Sequence, residues 1–257
     1  MPLRETEAIV LRTYRLGEAD KIVSLFTRQF GRLRGAAGGA QRPKSRYGGT
    51  LEPLSYVRVW LYERENRDLV RLNSAELIES FFDMQKQYRV QVAAQYVAEV
   101  SERLLPEREV NERAFRLIVA VLRALKRSAE IDRPLLYFNY WVLKLGGFLP
   151  DLESCLSCGR RLAAEAAGYA YGPGSEGLLC AACQAGQPGA GVRASRRTVS
   201  ADALALAQVV RQSPLDRWLA EAAPAGSGEA RRFFEELVET HAEKRLVTRE
   251  MLAEEVG

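Results

Sequence analysis

Near residue 81 the spacing of apolar side chains changes from a period of two to one of three to four, so no single regular layer spans the chain. Before that point Val57, Val59 and Leu61 alternate with Tyr56, Arg58, Trp60 and Tyr62, the pattern of a strand with two unlike faces. Ile9 and Leu11 alternate with their neighbours, Ile22 to Phe26 is a second run, and Leu69 to Leu72 follows the charged turn Glu63 to Asp68. About five short strands joined by glycine-rich turns predict a small OB-type β-barrel over residues 1–80. After it, Val90, Ala93, Ala94, Val97, Val100 and Leu104 recur at helical spacing and stop at Pro106. Asn111 is placed to cap a helix with the stripe Phe115, Ile118, Leu122 and Leu125. Asp132 and Pro134 open a third, Leu135 to Leu143 makes it apolar nearly all round, and Gly146-Gly147 ends it. Helices resume after Ser200 as 201–211, 214–222 and 229–246, with Pro224 to Gly228 as a linker. The expected fold is therefore α+β and multidomain: a barrel over 1–80, then an all-α bundle over 81–257 with a loop-rich insert at about 150–197.

Charge follows the same division. Residues 1–80 hold 14 Lys and Arg against 10 Asp and Glu, whereas residues 81–257 balance at 23 of each. The net +4 thus belongs to the barrel, and it is concentrated further. Lys21, Arg28, Arg32, Arg34, Arg42, Lys44 and Arg46 fall between Asp20 and Glu52 without an acidic residue among them. Phe26, Phe30 and Tyr47 lie in the same stretch with several glycines. Like charges repel unless a polyanion lies against them, and aromatic faces stack bases. The seven cations and Tyr47 are accordingly candidate nucleic-acid-binding residues. The row Tyr56, Arg58, Trp60 and Tyr62 is open between a base platform and packing against the next domain.

The insert carries the strongest local motif. Cys155-x2-Cys158-Gly159 and Cys180-x2-Cys183 are separated by 21 residues, and no other cysteine occurs. Two paired knuckles read as one structural zinc site, because four thiolates leave no open coordination position for chemistry. A redox role for the pairs would want helix N-termini beside them. Direct DNA contact through Arg160 and Arg161 stays open. Gly172 to Gly177 matches G-x-G-x-x-G but lies three residues before Cys180, with no room for the helix that a dinucleotide site requires. There is no G-x-x-x-x-G-K-[ST] motif, and His241, the single histidine, sits between Glu239 and Glu243 as a surface residue. No catalytic constellation emerges, and a non-enzymatic protein is expected. The start Met1 to Glu7 lacks a signal-peptide core, and no uncharged apolar run reaches bilayer length. The expected location is cytoplasmic, at the nucleoid when bound to DNA.

Gly17-Glu18-Ala19-Asp20-Lys21-Ile22, Phe26-Thr27 with Gly31, Gly39 to Arg46, and Leu51-Glu52-Pro53-Leu54 resemble the N-terminal domain of the bacterial RecO family of recombination and DNA-repair proteins. The likeness runs through the helical body and the four cysteines to Arg245-Leu246-Val247-Thr248-Arg249, where Thr248 replaces an expected serine. The resemblance implies binding of single- and double-stranded DNA, annealing without nucleotide hydrolysis, and partnership with RecR. It further implies contact with the acidic tail of single-strand-binding protein and, indirectly, loading of RecA. The tail needs cations beside an apolar groove, for which the cluster Arg123, Lys126 and Arg127 is the candidate. An OB/zinc RNA-binding protein or RNA chaperone is the alternative. A DNA ligase, which also joins an OB barrel to a four-cysteine site, would need a nucleotidyl-accepting domain that this chain does not display.

Overall fold

The computed structural model describes residues 2–63, 68–82, 84, 87–128, 130–162, 168–171, 177–186, 197–242 and 244–254. Parts of the charged turn at 63–68, of the insert and of the Gly172 to Gly177 motif lie outside the described residues. No helix among them is long and apolar enough to cross a membrane. The chain divides into two compact units, residues 1–131 with 246–257, and residues 132–245.

In the first unit five strands close into a barrel: β1 (Leu3–Leu16), β2 (Asp20–Thr27), β3 (Gly31–Ala37), β4 (Ser55–Tyr62) and β5 (Leu69–Ser80). The order around it is β1-β2-β3-β5-β4, with β4 returning to β1 and only β3–β5 parallel. This is the OB arrangement, and closure removes the free strand edges that would otherwise template aggregation. Ala8, Val10, Val23, Leu25, Leu33, Val57, Val59, Leu61, Val70 and Leu72 fill the interior. The inward side of β4 is thus the one that alternation predicts.

The outer face of β1 departs from simple alternation. Ile9, Val10 and Leu11 are all buried, and the register shifts between Val10 and Arg12. Ile9 pairs with Phe26 and Tyr56 across its two neighbours, so these three share the outer face. Helices α1 (Tyr88–Leu104) and α2 (Glu112–Arg127) belong to the same unit as the barrel. Phe115 of α2 places its ring 6.2 Å from Phe26 and 6.0 Å from Tyr56. Tyr56 donates its hydroxyl to Glu7 at 2.8 Å, and Trp60 donates Nε1 to Glu5 at 3.2 Å. Burial, together with hydrogen bonding and repulsion from Glu7, raises the Tyr56 phenol to about 12. The Tyr56 end of the aromatic row is packing surface. Asn111 caps α2 as the sequence predicts, its side chain accepting from the Ala114 amide at 3.0 Å.

The second unit is built on α3 (Asp132–Leu145) and continues through β6 (Asp151–Cys155), β7 (Tyr169–Tyr171), β8 (Gly177–Leu178), α4 (Ala181–Gly186) and β9 (Arg197–Val199). It ends with α5 (Ala201–Gln212), α6 (Leu215–Ala220) and α7 (Ser227–His241). Ser200 caps α5 through the Ala203 amide at 3.1 Å. Tyr140 of α3 meets Phe234 of α7 edge-on at 5.8 Å. Arg231, 4% exposed, reaches Asp132 at 2.7 Å and also pairs with the buried Glu235, so α7 is pinned to the start of α3 by charge as well as packing.

Two sequence expectations are corrected at the C-terminal end. Ser227 and Gly228, expected in a linker, already belong to α7, because Gly226 supplies the positive φ of +86° at which the chain turns into the helix. The single helix expected over 229–246 ends at His241, and a separate α8 (Val247–Glu254) returns to the first unit. There Glu99 of α1 accepts from the Thr248 amide at 3.1 Å and its hydroxyl at 2.7 Å. A carboxylate on the free amides of a first turn is a stabilising cap, and a threonine hydroxyl serves it as a serine would.

Candidate metal centre and nucleic-acid interface

Strand pairing explains how two cysteine pairs far apart in sequence meet. Parallel pairing of β6 with β8 sets Cys155 opposite Leu178, two residues before Cys180. Gly159 takes a φ of +69° and its amide bonds the Cys155 carbonyl at 2.9 Å, which closes the first knuckle. The Cys180 amide then points at Cys155 Sγ at 3.4 Å, while Cys183 lies in the first turns of α4. The four sulfurs all fall within 4.8 Å of one another, and Cys158 and Cys180 are 3.9 Å apart. A tetrahedral ion with Zn–S bonds of about 2.3 Å asks for S···S edges of roughly 3.8 Å, so the donor set fits a four-thiolate metal.

The protonation balance of the cluster agrees. Burial opposes ionisation of Cys155, yet the amides of Cys180, Cys158 and Ser157 overcome it and lower the thiol to about 6. Cys183 is pushed up to about 12, chiefly by its contacts with the Cys158 and Cys180 sulfurs. Thiols this close cannot all ionise without a cation among them. The second pair does open a short helix, as a redox motif would, but convergence of all four sulfurs on one point is a coordination geometry.

The basic stretch resolves into two groups. Lys21 pairs with Glu52 at 2.9 Å, and Arg28 with Glu112 at 2.6 Å and Glu7 at 3.2 Å. Arg32 pairs with Glu107 at 3.0 Å and donates to the Leu105 carbonyl at 2.9 Å. The hydrogen bonds that Arg28 donates to Glu112 and Glu7 raise its pKa, and the bond to Glu112 lowers that carboxyl. These three cations bind the barrel to itself and to the segment around α2. Arg34, Arg42 and Lys44 are exposed, with no side-chain partner among the described residues.

Arg42, Lys44 and Arg46 lie on a loop that is anchored at several points. Successive turns bond the amides of Arg42, Ser45 and Gly48 to the carbonyls of Gly39, Arg42 and Ser45. Asp20 accepts from the Gly39 amide at 2.7 Å, and the Gln41 side chain donates to the Asp20 carbonyl at 2.6 Å. Tyr47, grouped above with the DNA-binding residues, is corrected to a core residue. It is 1% exposed, and its hydroxyl donates to the Leu72 carbonyl at 2.8 Å. Its ring anchors the loop under the Arg46 guanidinium, 5.0 Å from the centroid, and is not open to a base. Phe26 is likewise fully buried.

Arg123 and Lys126 are not free cations either. Arg123 bonds Glu79 at 2.8 Å, Lys126 bonds the Ser80 carbonyl at 2.8 Å, and Arg127 is likewise engaged. Arg123 and Lys126 hold α2 to the end of β5, where the Glu79 carboxylate lies between them. The residues that the basic stretch leaves out are Arg12, Tyr14 and Arg15, all exposed on β1. Glu18 and Asp20 interrupt the run of charge in sequence, and alternation along β1 puts Arg12 and Tyr14 on one face and Arg15 on the other.

A closed OB barrel, a helical body and a four-cysteine centre define a class of multidomain protein without a visible catalytic site among the described residues. Comparison with known proteins narrows the class. Residues 1–81 match the family described as "Recombination protein O N terminal", and residues 85–250 match "Recombination protein O C terminal". A protein named "DNA repair protein RecO" from Koribacter versatilis is 39% identical over 251 residues, covering 97% of this chain and 98% of that one. Its namesake from Anaeromyxobacter sp. strain K is 31% identical over 254 residues, covering 97% and 95%. One from Symbiobacterium thermophilum is 33% identical over 184 residues, covering 71% and 72%. The chain belongs to the RecO family.

Proposed function

We propose that this protein is a non-enzymatic recombination mediator in DNA repair, which binds single and double strands and anneals complementary strands by binding energy alone. The observation that carries this reading is the anchored loop presenting Arg42, Lys44 and Arg46 from the rim of an OB barrel. Cations that are held in place without a carboxylate partner can replace condensed counterions on a phosphate backbone, and such contacts carry no sequence information. Shielding two backbones lowers the repulsion between complementary strands.

Zinc is the ion that suits four thiolates in a closed site. Bound there, it would tie β6, β8 and α4 together through Cys155, Cys158, Cys180 and Cys183 and supply no reactive position. RecR, single-strand-binding protein and, through them, RecA are the partners that family membership supports, in the cytoplasm and at the nucleoid. For the acidic, apolar-ended tail of single-strand-binding protein, a cavity of about 350 Å³ in the second unit is a second candidate beside the cluster Arg123, Lys126 and Arg127. Tyr140, Leu149, Leu152 and Leu204 supply apolar lining, Lys144 stands at its wall, and Arg211 is there held by Glu153 at 2.6 Å, a bond that an acidic tail would have to displace.

The test is annealing of complementary strands coated with intact or tail-truncated single-strand-binding protein, with and without ATP. Acceleration without ATP, weakened by truncation of the tail, is expected. A strict ATP requirement, or no acceleration on either substrate, would overturn the mediator reading.

A further inference from the structure

With Phe26, Tyr47 and Tyr56 committed to packing, the barrel needs another aromatic if it is to grip bases as well as phosphates. Tyr14 is 43% exposed, the most exposed aromatic side chain on the described barrel strands. Register places it in a defined row: Tyr14 pairs with Ile22, and Ile22 pairs with Ala36. Cross-strand partners share a face, so these three form an apolar row across β1, β2 and β3 on the outside of the barrel. One step along, Arg12, Ser24 and Arg34 form the neighbouring row, in which Ser24 is buried and an exposed guanidinium stands at each end.

Tyr14 is also held in a fixed attitude. Its hydroxyl donates to Glu102 at 3.4 Å, Glu102 lies 3.8 Å from Arg12, and the Arg12 guanidinium stands 5.3 Å from the centre of the Tyr14 ring. A cation over an aromatic face fixes the ring and leaves its remaining surface to a planar guest. Arg15, the next residue, is exposed but belongs to the opposite face of the strand, in the row of Lys21 and Ala37. At the tip of the same hairpin Asp20 and Ala19 hold the loop of Arg42 and Lys44, through Gly39 and Gln41. The apolar row and the cationic loop are therefore two parts of one anchored surface.

We infer that Tyr14 is a base-stacking residue, and that the outer face of the β1–β2 hairpin takes an unpaired base of a single DNA strand. Arg12 and Arg34, at the two ends of the neighbouring row, hold its phosphates. This rests on the DNA-binding reading and adds to it a distinction between single and double strands: a stacked base must be unpaired, whereas the cationic loop accepts either form. Charge complementarity decides the occupant. An apolar row bordered by Arg12 and Arg34 suits a polyanion with flat bases better than a neutral protein surface.

The test uses full-length protein, a short oligothymidine, and the same strand with abasic sites. Aromatic stacking contributes about five- to 150-fold in affinity per base when the ring is removed. Tyr14→Ala and Tyr14→Leu should each weaken binding to oligothymidine within that range, with the salt slope unchanged because no charge is lost. Tyr14→Phe and Tyr14→Trp should bind as the parent does. On the abasic strand all five proteins should bind alike, and a duplex should not distinguish them. Equal loss on abasic and base-bearing strands would assign Tyr14 a structural role and overturn the inference. So would unchanged affinity of Tyr14→Ala for oligothymidine, including the case where only a protein contact is lost. Failure of the parent protein to bind any strand would instead overturn the DNA-binding reading beneath it.

Discussion

The Asp20 carboxylate accepts a hydrogen bond from the Gly39 amide at 2.7 Å, so an acidic side chain holds the most basic loop of the barrel in place. Electrostatics and architecture thus pull in opposite directions at this residue, and a substitution separates them. Asp20→Ala removes a negative charge from the cationic surface, which by charge alone would tighten DNA binding. Because the loop loses its tether, binding should weaken instead, and stability should fall by about 1–2 kcal/mol. Asp20→Asn keeps an acceptor and should retain most of both. Affinity for a single strand, measured beside the unfolding midpoint, checks this; tighter binding by Asp20→Ala would show that the tether is dispensable.

Much of this architecture is legible in the sequence because it is local. The β4 alternation, the Asn111 and Ser200 caps, the Gly146-Gly147 stop and the two C-x2-C pairs each state their structure within a few residues. What is not legible depends on partners distant in sequence. Lys21, Arg28 and Arg32 read as free cations because Glu52, Glu112 and Glu107 come to them only through the closed barrel and its helices. Tyr47 reads as an exposed aromatic in a glycine-rich loop, and its burial is decided by the Leu72 carbonyl 25 residues away. The break between α7 and α8 is set by Glu99, which caps α8 from α1.

The four-cysteine centre should contain about one zinc per chain in protein purified without added metal. Cys180→Ser should lower metal content and unfolding midpoint together, while leaving intrinsic affinity for DNA nearly unchanged. Metal retention should fall as the solution is acidified, since protons compete for the thiolates. Elemental analysis and thiol titration report the result; four freely titrating thiols and no metal would contradict the assignment.

Tyr56 predicts an alkaline transition. Its phenol is raised from the ordinary value of 10.0 to about 12 by burial and by Glu7, so the fold favours the protonated form. That contribution is complete below pH 10 and disappears as pH rises through about 12. Tyr56→Phe should be less stable than the parent by about 1–2 kcal/mol at neutral pH, from the lost bond to a carboxylate. The gap should close across the alkaline window. Denaturant midpoints of both proteins against pH provide the check, and a constant gap would contradict it.

The buried Arg231–Glu235 pair should be costly to break from one side. Arg231→Met leaves the Glu235 carboxylate, 3% exposed, without its guanidinium, and breaking such pairs costs about 3–5 kcal/mol. Arg231→Met with Glu235→Leu should recover a large part of that loss. Chemical unfolding of the single and double variants measures it; additive losses would contradict coupling between the two residues.

The division of the basic stretch into cations with and without a carboxylate partner is tested most directly by salt dependence. On single strands each phosphate contact contributes roughly 0.7 to the log–log slope of affinity against salt. Replacing Arg42, Lys44 and Arg46 together by alanine should flatten that slope by about 2. Replacing Lys21, Arg28 and Arg32 by alanine should lower stability and leave the slope nearly unchanged. An unchanged slope in the first variant, or a flatter one in the second, would contradict the assignment of the anchored loop as the DNA surface.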